Sequence, residues 1–193
     1  MSSELFDLFL QGRTANKFDG RPVADDTLRR LYDLYKWGPT SLNSQPGRVL
    51  FVRSAEAKAK LGPALAPNNL EKTMAAPVVA IVSYDTKFSE LLPAQAPHLP
   101  PPILQMFASN QALAQETAFR NGTLQGGYLI IAARMLGLAA GPMSGFDARK
   151  VDEVFFPDGR WKSNFLVNLG YADPSGTRPR GPRLDFDVAA GIV

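Results

Sequence analysis

One short polar segment carries the side chains that bind a phosphate ester. The run Arg13-Thr14-Ala15-Asn16 offers a bidentate cation, a hydroxyl and an amide in a row. The same residues also suit the end of a helix followed by a turn, and the local sequence leaves both interpretations open.

Two further segments place polar groups where elements are expected to end. Residues 39–46 form a small, mostly polar loop, Thr40 to Gln45, between two prolines, which is also what an ordinary rigid loop looks like. The run Pro142-Met143-Ser144-Gly145 follows a predicted strand and can align backbone N–H groups. Asn69 and Lys72 can add an amide and a cation nearby.

The residues that usually carry out chemistry themselves are scarce. The 193 residues include no cysteine and one histidine, His98, which excludes a disulfide framework, a thiol nucleophile and a histidine-rich metal site. Neither GxGxxG nor GxxxxGK[ST] occurs. Ser144 does not fit the G-x-S-x-G nucleophile motif, because Pro142 stands where glycine is required. If the chain is an enzyme, we expect a cofactor to supply its chemistry and no metal to be bound.

Charge and hydropathy narrow the class of protein further. The net charge is +3, and the basic residues are scattered except for Arg178, Arg180 and Arg183, which argues against nucleic-acid binding. The N-terminus lacks the basic start of a signal peptide, and the longest apolar stretch, residues 126–133, is far short of the ~20 residues that span a bilayer. We therefore expect a cytoplasmic protein without a membrane partner.

Apolar periodicity predicts one domain, residues 1–193, of helices around a sheet of four or five strands, α+β or α/β. Leu5, Leu8 and Phe9 form the apolar face of a first helix. Asp25 or Asp26 caps the second, whose buried stripe is Leu28, Leu31, Tyr32 and Tyr35. Further helices are predicted over 55–65, 110–136 and 148–155, and strands over 49–52, 78–82 and 164–170, with a short strand or turn after Gly137.

Three segments predict less regular features. Five prolines in residues 93–102 favour an extended, solvated excursion or lid that includes His98. The second half of the long helix is apolar nearly all round and contains Gly126-Gly127, which predicts burial and close approach to a partner's helix. The tail from Asp173 is too polar to pack on itself.

In this order along the chain, the segments resemble the nitroreductase superfamily of FMN-dependent oxidoreductases. The motifs are R-T-x-N-x-F from Arg13, G-P-T-S-x-N-x-Q-P from Gly38, Lys72 before the second strand, and G-P-M-S-G-F-D from Gly141. The stretches at 36–41, 116–121, 141–147 and 162–171 look most like the malonic semialdehyde reductase subgroup of a pyrimidine-degradation pathway.

The resemblance implies an α+β fold with a mostly antiparallel sheet, in an intertwined homodimer with two FMN molecules at the interface. The tail, residues 173–193, would wrap over the partner subunit. Arg13, Thr14 and Arg183 would bind the FMN phosphate; Asn16, Asn69 and Lys72 would face the pyrimidine edge; Pro39, Thr40, Ser41 and Asn43 would line the ring from the partner; and Ser144 and Gly145 would offer backbone N–H groups to N5. Lys72 would stabilise the negative charge of the reduced flavin.

Two positions depart from the family pattern. Many members carry a second cation where this chain has Asn16, and the widespread Glu-Gly pair is Ser144-Gly145 here. A mechanism built on that glutamate does not transfer.

The predicted activity is ping-pong transfer from NADH or NADPH through FMN to a second substrate. The favoured substrate is malonic semialdehyde, and a nitroaromatic, quinone or enone is the alternative. From another class, the chain could be a flavin-binding protein without turnover, or a dimeric interaction module.

Overall fold

A computed structural model describes residues 3–193, with side chains from residue 6 onward. Met1, Ser2 and the side chain of Leu5, predicted on the apolar face of the first helix, lie outside the described residues. Four strands form one antiparallel sheet in the order β1-β2-β4-β3: β1 Gly47–Val52, β2 Val78–Asp85, β3 Ala139–Met143 and β4 Trp161–Gly170. The α+β class is therefore confirmed.

Helices cover both faces of this sheet. In the described part of the chain they are α1 Ser3–Leu10, α2 Asp25–Tyr35, α3 Ala55–Leu61, α4 Pro67–Ala75, α5 Leu92–Gln95, α6 Pro101–Ser109, α7 Gln111–Met135, α8 Ala148–Phe155 and α9 Phe186–Ala189. In residues 3–193 there is no helix of the length and apolarity needed to span a bilayer.

Strand β2 separates two hydrophobic cores. Its side chains alternate between faces, and all eight of its residues are buried, as its unbroken apolar run predicts for a central strand. Val78, Ala80 and Val82 pack with α2 and α7 on one face. Val79 and Ile81 pack with α3 and α8 on the other.

The proline-rich segment is helical at both ends, so the prediction of an extended excursion is wrong. Pro93 lies in the first turn of α5, and Pro101 begins α6. Proline is tolerated there because the first N–H groups of a helix have no intrahelical partner. Buried Leu92 and Phe107 pack with Phe88, and exposed His98 lies between the two helices.

The start of α2 also differs from the prediction. Its N-cap is Ala24, with no side-chain cap, and Asp25 and Asp26 lie in the first turn, where carboxylates favour the helix dipole. Asp25 instead forms an ion pair of 2.6 Å with Arg53. Tyr32, predicted to be buried, is 52% exposed.

The two adjacent glycines of α7 lie on different faces of the helix. A Cβ on Gly126 would lie 2.4 Å from the ring of Phe165, so its close approach is to the chain's own sheet and not to a partner's helix. Gly127 faces open space. In the single chain, Leu124 and Tyr128 are each about half exposed, so the second half of α7 is not fully buried in the chain's own core. Its burial against a partner subunit stays a prediction.

Candidate functional site

The segment Arg13-Thr14-Ala15-Asn16 lies along the outer edge of β3. Thr14 forms a parallel bridge with Ala140, and the Ala15 N–H donates to the Ala140 carbonyl over 3.0 Å. Gly141 permits this approach, since a Cβ there would lie 2.5 Å from the Ala15 oxygen. Asn16 Nδ2 donates to the carbonyl of Gly176 at 3.4 Å, which ties the segment to the beginning of the tail. These backbone contacts hold the segment parallel to β3.

Three arginines converge on the carbonyl end of α1. Arg13 Nη1 donates to the Leu10 carbonyl at 3.2 Å, and Arg134 Nη1 donates to the Leu8 carbonyl at 3.2 Å. Arg180 Nη2 donates to the carbonyls of Phe9, Leu10 and Gly12. Arg13 therefore does help to terminate the helix, as one reading of its sequence held, and it does so within a cluster of cations.

The cluster carries uncompensated positive charge. Desolvation, followed by the charges of Arg13 and Arg183, lowers the pKa of Arg180, and desolvation and then Arg180 lower the pKa of Arg134. Among the described side chains, no carboxylate forms an ion pair with any of these four arginines. A bound anion would relieve this repulsion, as a phosphate would.

A second part of the site forms where β3 ends. The Gly145 carbonyl accepts hydrogen bonds from the Ala66 N–H at 3.0 Å and from Asn69 Nδ2 at 2.9 Å. A Cβ on Gly145 would lie 2.5 Å from Asn69 Nδ2, so only glycine fits without displacement. Within residues 3–193, the Gly145 N–H donates no hydrogen bond. That donor remains available to a ligand.

Lys72 lies one helical turn beyond Asn69 on α4. Residues three apart share a helix face, so Lys72 is on the side of α4 that meets Gly145. Its side chain is partly buried, and it forms no ion pair with any described carboxylate. Lys72 therefore adds a cationic side chain to this face of α4, one turn from Asn69.

The loop between Pro39 and Pro46 has a strained backbone. Leu42, Asn43 and Gln45 adopt φ values of 56°, 51° and 40°, the left-handed region that non-glycine residues rarely occupy. Each such residue costs of order 1–3 kcal/mol and persists only where surrounding contacts hold it, typically at functional sites.

Two buried side chains of α7 hold this loop. The Ser41 N–H donates to Asn121 Oδ1 at 2.8 Å, and the Gly47 N–H donates to Gln125 Oε1 at 2.7 Å. Within the loop, the Gln45 N–H donates to Thr40 Oγ1 at 3.1 Å. Sequence reasoning missed Asn121 and Gln125, although two amides four residues apart, and so on one face of a predicted helix, were a usable signal.

The predicted site residues fall into two groups in one chain. Arg13, Thr14, Asn16, Asn69, Lys72, Ser144 and Gly145 lie along β3 and its end, and Arg183 lies near the arginine cluster. Pro39, Thr40, Ser41 and Asn43 lie at the start of β1, the opposite edge of the sheet. Asn121, which holds the loop, and Arg134, in the cluster, are separated by about 20 Å along α7 at 1.5 Å per residue.

An apolar face of α7 is uncovered between the two groups. Phe119, Leu124, Tyr128 and Ile131, with Phe9 from α1, line a groove of about 900 Å³. The ring of Tyr128 packs closely on Gly38, at the base of the strained loop. An apolar patch of this kind on a globular protein typically marks an interface.

Comparisons with known proteins identify the family of the chain. Residues 11–171 match the model of the "Nitroreductase family", so the chain belongs to the nitroreductase family. It is 57% identical over 190 residues to a Burkholderia lata protein named "Putative NADH dehydrogenase/NAD(P)H nitroreductase", covering 98% of this chain and 96% of that one. A Rhodopseudomonas palustris relative with the same name is 54% identical over the full length of both chains.

A solved structure shows the same fold. A "putative nitroreductase in complex with FMN" from Exiguobacterium sibiricum superposes with a TM-score of 0.87 at 20% identity, covering 100% of this chain and 99% of that one.

Proposed function

We propose that this chain is an FMN-dependent NAD(P)H oxidoreductase whose active site is shared between the two subunits of a homodimer. The observation that carries the proposal is the separation of the two groups of site residues, with an uncovered apolar helix face between them. One chain alone does not bring the strained loop to the arginine cluster, so a second copy is required to assemble the site.

A two-fold axis near the middle of α7 satisfies that requirement. The midpoint between Asn121 and Arg134 lies at Gly127, where a Cβ would meet nothing within 4 Å. Two copies of α7 packed antiparallel at this point would place the loop of one chain beside the arginine cluster of the other, because a two-fold interface is self-complementary. The tail contributes as well, since residues 177–193 are exposed throughout and carry uncovered Leu184, Phe186 and Ile192. We propose that it wraps over the partner.

The side chains present fit FMN. Arg13 and Arg180 would hold the phosphate, with Thr14 and Arg183 beside them, because guanidinium groups bind phosphate oxygens bidentately. Asn16, Asn69 and Lys72 would face the pyrimidine edge. Thr40, Ser41 and Asn43 of the partner would line the ring. When bound, FMN would supply the acceptance and donation of a hydride.

The protein's own contribution would be positioning and electrostatics. Lys72 would keep a positive charge where negative charge develops on the ring, and the Gly145 N–H would offer a hydrogen bond at its reactive edge. With no cysteine and with His98 exposed between α5 and α6, the chain supplies no thiol and no histidine to this site. Ping-pong turnover, in which both substrates use one face in succession, needs neither.

For the second substrate, we propose a small aldehyde, malonic semialdehyde, reduced to 3-hydroxypropanoate. The support is the resemblance of residues 36–41, 116–121, 141–147 and 162–171 to that subgroup. The relatives' names favour a nitro compound as the alternative acceptor. An anaerobic acceptor screen separates these: the prereduced protein is mixed with malonic semialdehyde, a nitrofuran or a quinone, and flavin reoxidation is timed.

The oxidoreductase proposal is tested with the purified protein. We expect absorbance bands at about 375 and 450 nm that bleach when NADH or NADPH is added without oxygen. Protein that lacks these bands and does not gain them with added FMN would contradict flavin binding. If bound FMN stays oxidised with both NADH and NADPH, the oxidoreductase proposal is contradicted and the chain is a flavin-binding protein without turnover.

A further inference from the structure

A buried carboxylate lies beside the strained loop without having been assigned any role. Asp85, at the end of β2, is 1% exposed. It accepts hydrogen bonds from Arg48 Nη2 at 2.9 Å, from Arg160 Nε at 3.1 Å and from the Lys87 N–H at 2.8 Å. Its negative charge is therefore fully compensated inside the protein.

Arg48 connects this carboxylate to the loop. While its Nη2 binds Asp85, its Nη1 donates to the carbonyls of Gln45 at 2.9 Å and Gly47 at 2.8 Å. The Asp85 N–H donates to the carbonyl between them, that of Pro46, at 2.8 Å. The three consecutive carbonyls of Gln45, Pro46 and Gly47, beginning at the left-handed Gln45, are thus all bound by Arg48 and Asp85.

These contacts complement those from α7. Asn121 and Gln125 accept N–H donors at the two ends of the loop, whereas Arg48 and Asp85 bind its last carbonyls. A buried ion pair adds little net stability compared with apolar residues of the same size, so stability alone does not explain one here. A backbone held in rare φ values does need such bonds from several directions.

We propose that Asp85 and Arg48 are a positioning pair that holds the loop of residues 40–45 in the conformation that faces the flavin of the partner subunit. The proposal rests on the proposed function. It assigns neither residue a contact with the flavin; each acts through the loop backbone.

The test uses the holoenzyme with two variants and one control. Asp85→Asn keeps the shape and removes the charge. Arg48→Lys keeps the positive charge but loses the guanidinium group, which binds Asp85 and the loop carbonyls at the same time. This second variant tests the proposal even if Asp85→Asn does not fold. Glu90→Gln is the control, because Glu90 contacts Arg160 Nη1 at 3.0 Å on the outer side of the same cluster.

Three measurements are made on each protein: hydrogen exchange of residues 40–47, visible circular dichroism of the flavin, and the rate of flavin reduction by NADH. In both variants we expect faster exchange, a changed dichroism signal and reduction slowed by about 10- to 100-fold, because small misplacements have effects of that size. The FMN dissociation constant should change by a smaller factor than the reduction rate, because the variants leave in place the arginines that would hold the phosphate. Glu90→Gln should match the wild type.

Unchanged exchange and reduction in the variants, or equal slowing in Glu90→Gln, would overturn the positioning role. Wild-type protein that binds no FMN would overturn this proposal together with the proposed function. Wild-type protein that binds and reduces FMN, with both variants unaffected, would overturn the positioning role alone.

Discussion

Gly145 shows how one residue can set the shape of the site. Its carbonyl is bound by α4, its N–H is available, and its Cα leaves no room for a side chain. Gly145→Ala should push Asn69 away and weaken FMN binding about tenfold, measured by flavin fluorescence titration. Gly62→Ala is the matched control, because its Cβ would meet only Leu70, at an ordinary 3.6 Å. Equal affinity in both variants would contradict a role for the Gly145 corner.

Lys72 permits an electrostatic prediction. Lys72→Ala should lower the reduction potential of bound FMN by about 30 mV, equivalent to about 1.4 kcal/mol for two electrons. Lys72→Arg keeps the positive charge, so its potential should stay close to that of the wild type. Lys60→Ala, which removes an exposed lysine of α3, should leave the potential unchanged. The potential is measured by anaerobic dye equilibration. A potential unaltered in Lys72→Ala would place this lysine outside the site.

The residues that sequence could and could not identify differ in a physical way. Arg13 could be selected because it stands in a contiguous motif of fixed chemistry, and Asn69 and Lys72 because the family resemblance supplies their positions before the second strand. Arg134 and Arg180 could not, because their role depends on two distant segments meeting at the end of α1. Such long-range proximity leaves no local pattern.

Among the elements, α7 supports the loop with buried amide side chains. Asn121→Ala should leave the Ser41 N–H without its protein acceptor and lower the free energy of unfolding by about 0.5–1.5 kcal/mol, the net value of a typical hydrogen bond. Denaturant unfolding at fixed protein concentration measures this, with Gln105→Ala, an exposed glutamine of α6, as control. A loss below that of the control would mean that the loop does not depend on Asn121.

The element boundaries show why periodicity predicted some segments better than others. Strand β2 and helix α8 follow directly from apolar runs and spacing. The sequence analysis does not predict the helices at 92–95 and 101–109, because it takes proline to exclude a helix. These prolines lie in the first turn of each helix, where proline is tolerated. Hydropathy predicts burial of the apolar half of α7 but does not by itself distinguish the chain's own core from an interface, and part of this face is exposed in the single chain.

For the whole molecule, the proposed sharing of the site between two subunits predicts complementation between damaged subunits. Arg13→Ala would damage the residues that bind the FMN phosphate, and Asn43→Ala would damage the loop that lines the ring. The two changes lie on different sides of the proposed interface. In a purified mixed dimer of these two chains, both defects fall on one site and the other is intact, so we expect about half of the wild-type activity. Steady-state NADH oxidation measures it, with the two parent dimers as controls. Activity no higher than that of the parents would place the whole site within one chain.

The apolar face of α7 predicts the oligomeric state. Leu124→Asp should turn the dimer into monomers that no longer retain FMN, because it places a charge at the centre of the interface. Sedimentation velocity measures the mass. Val154→Asp, which changes a similarly exposed apolar residue of α8, should stay dimeric. Dimeric Leu124→Asp would contradict the proposed interface.

In the proposed dimer, the placement of the two residue groups on opposite edges of the sheet would couple subunit assembly to cofactor binding. When one flavin touches both chains, its binding energy is also subunit association energy, and each equilibrium shifts the other by mass action. The melting temperature should therefore rise with protein concentration, and added FMN should raise it most in dilute solution. Flavin would stabilise the association of the subunits, and a shortage of flavin would lower the amount of dimer as well as the activity of each dimer.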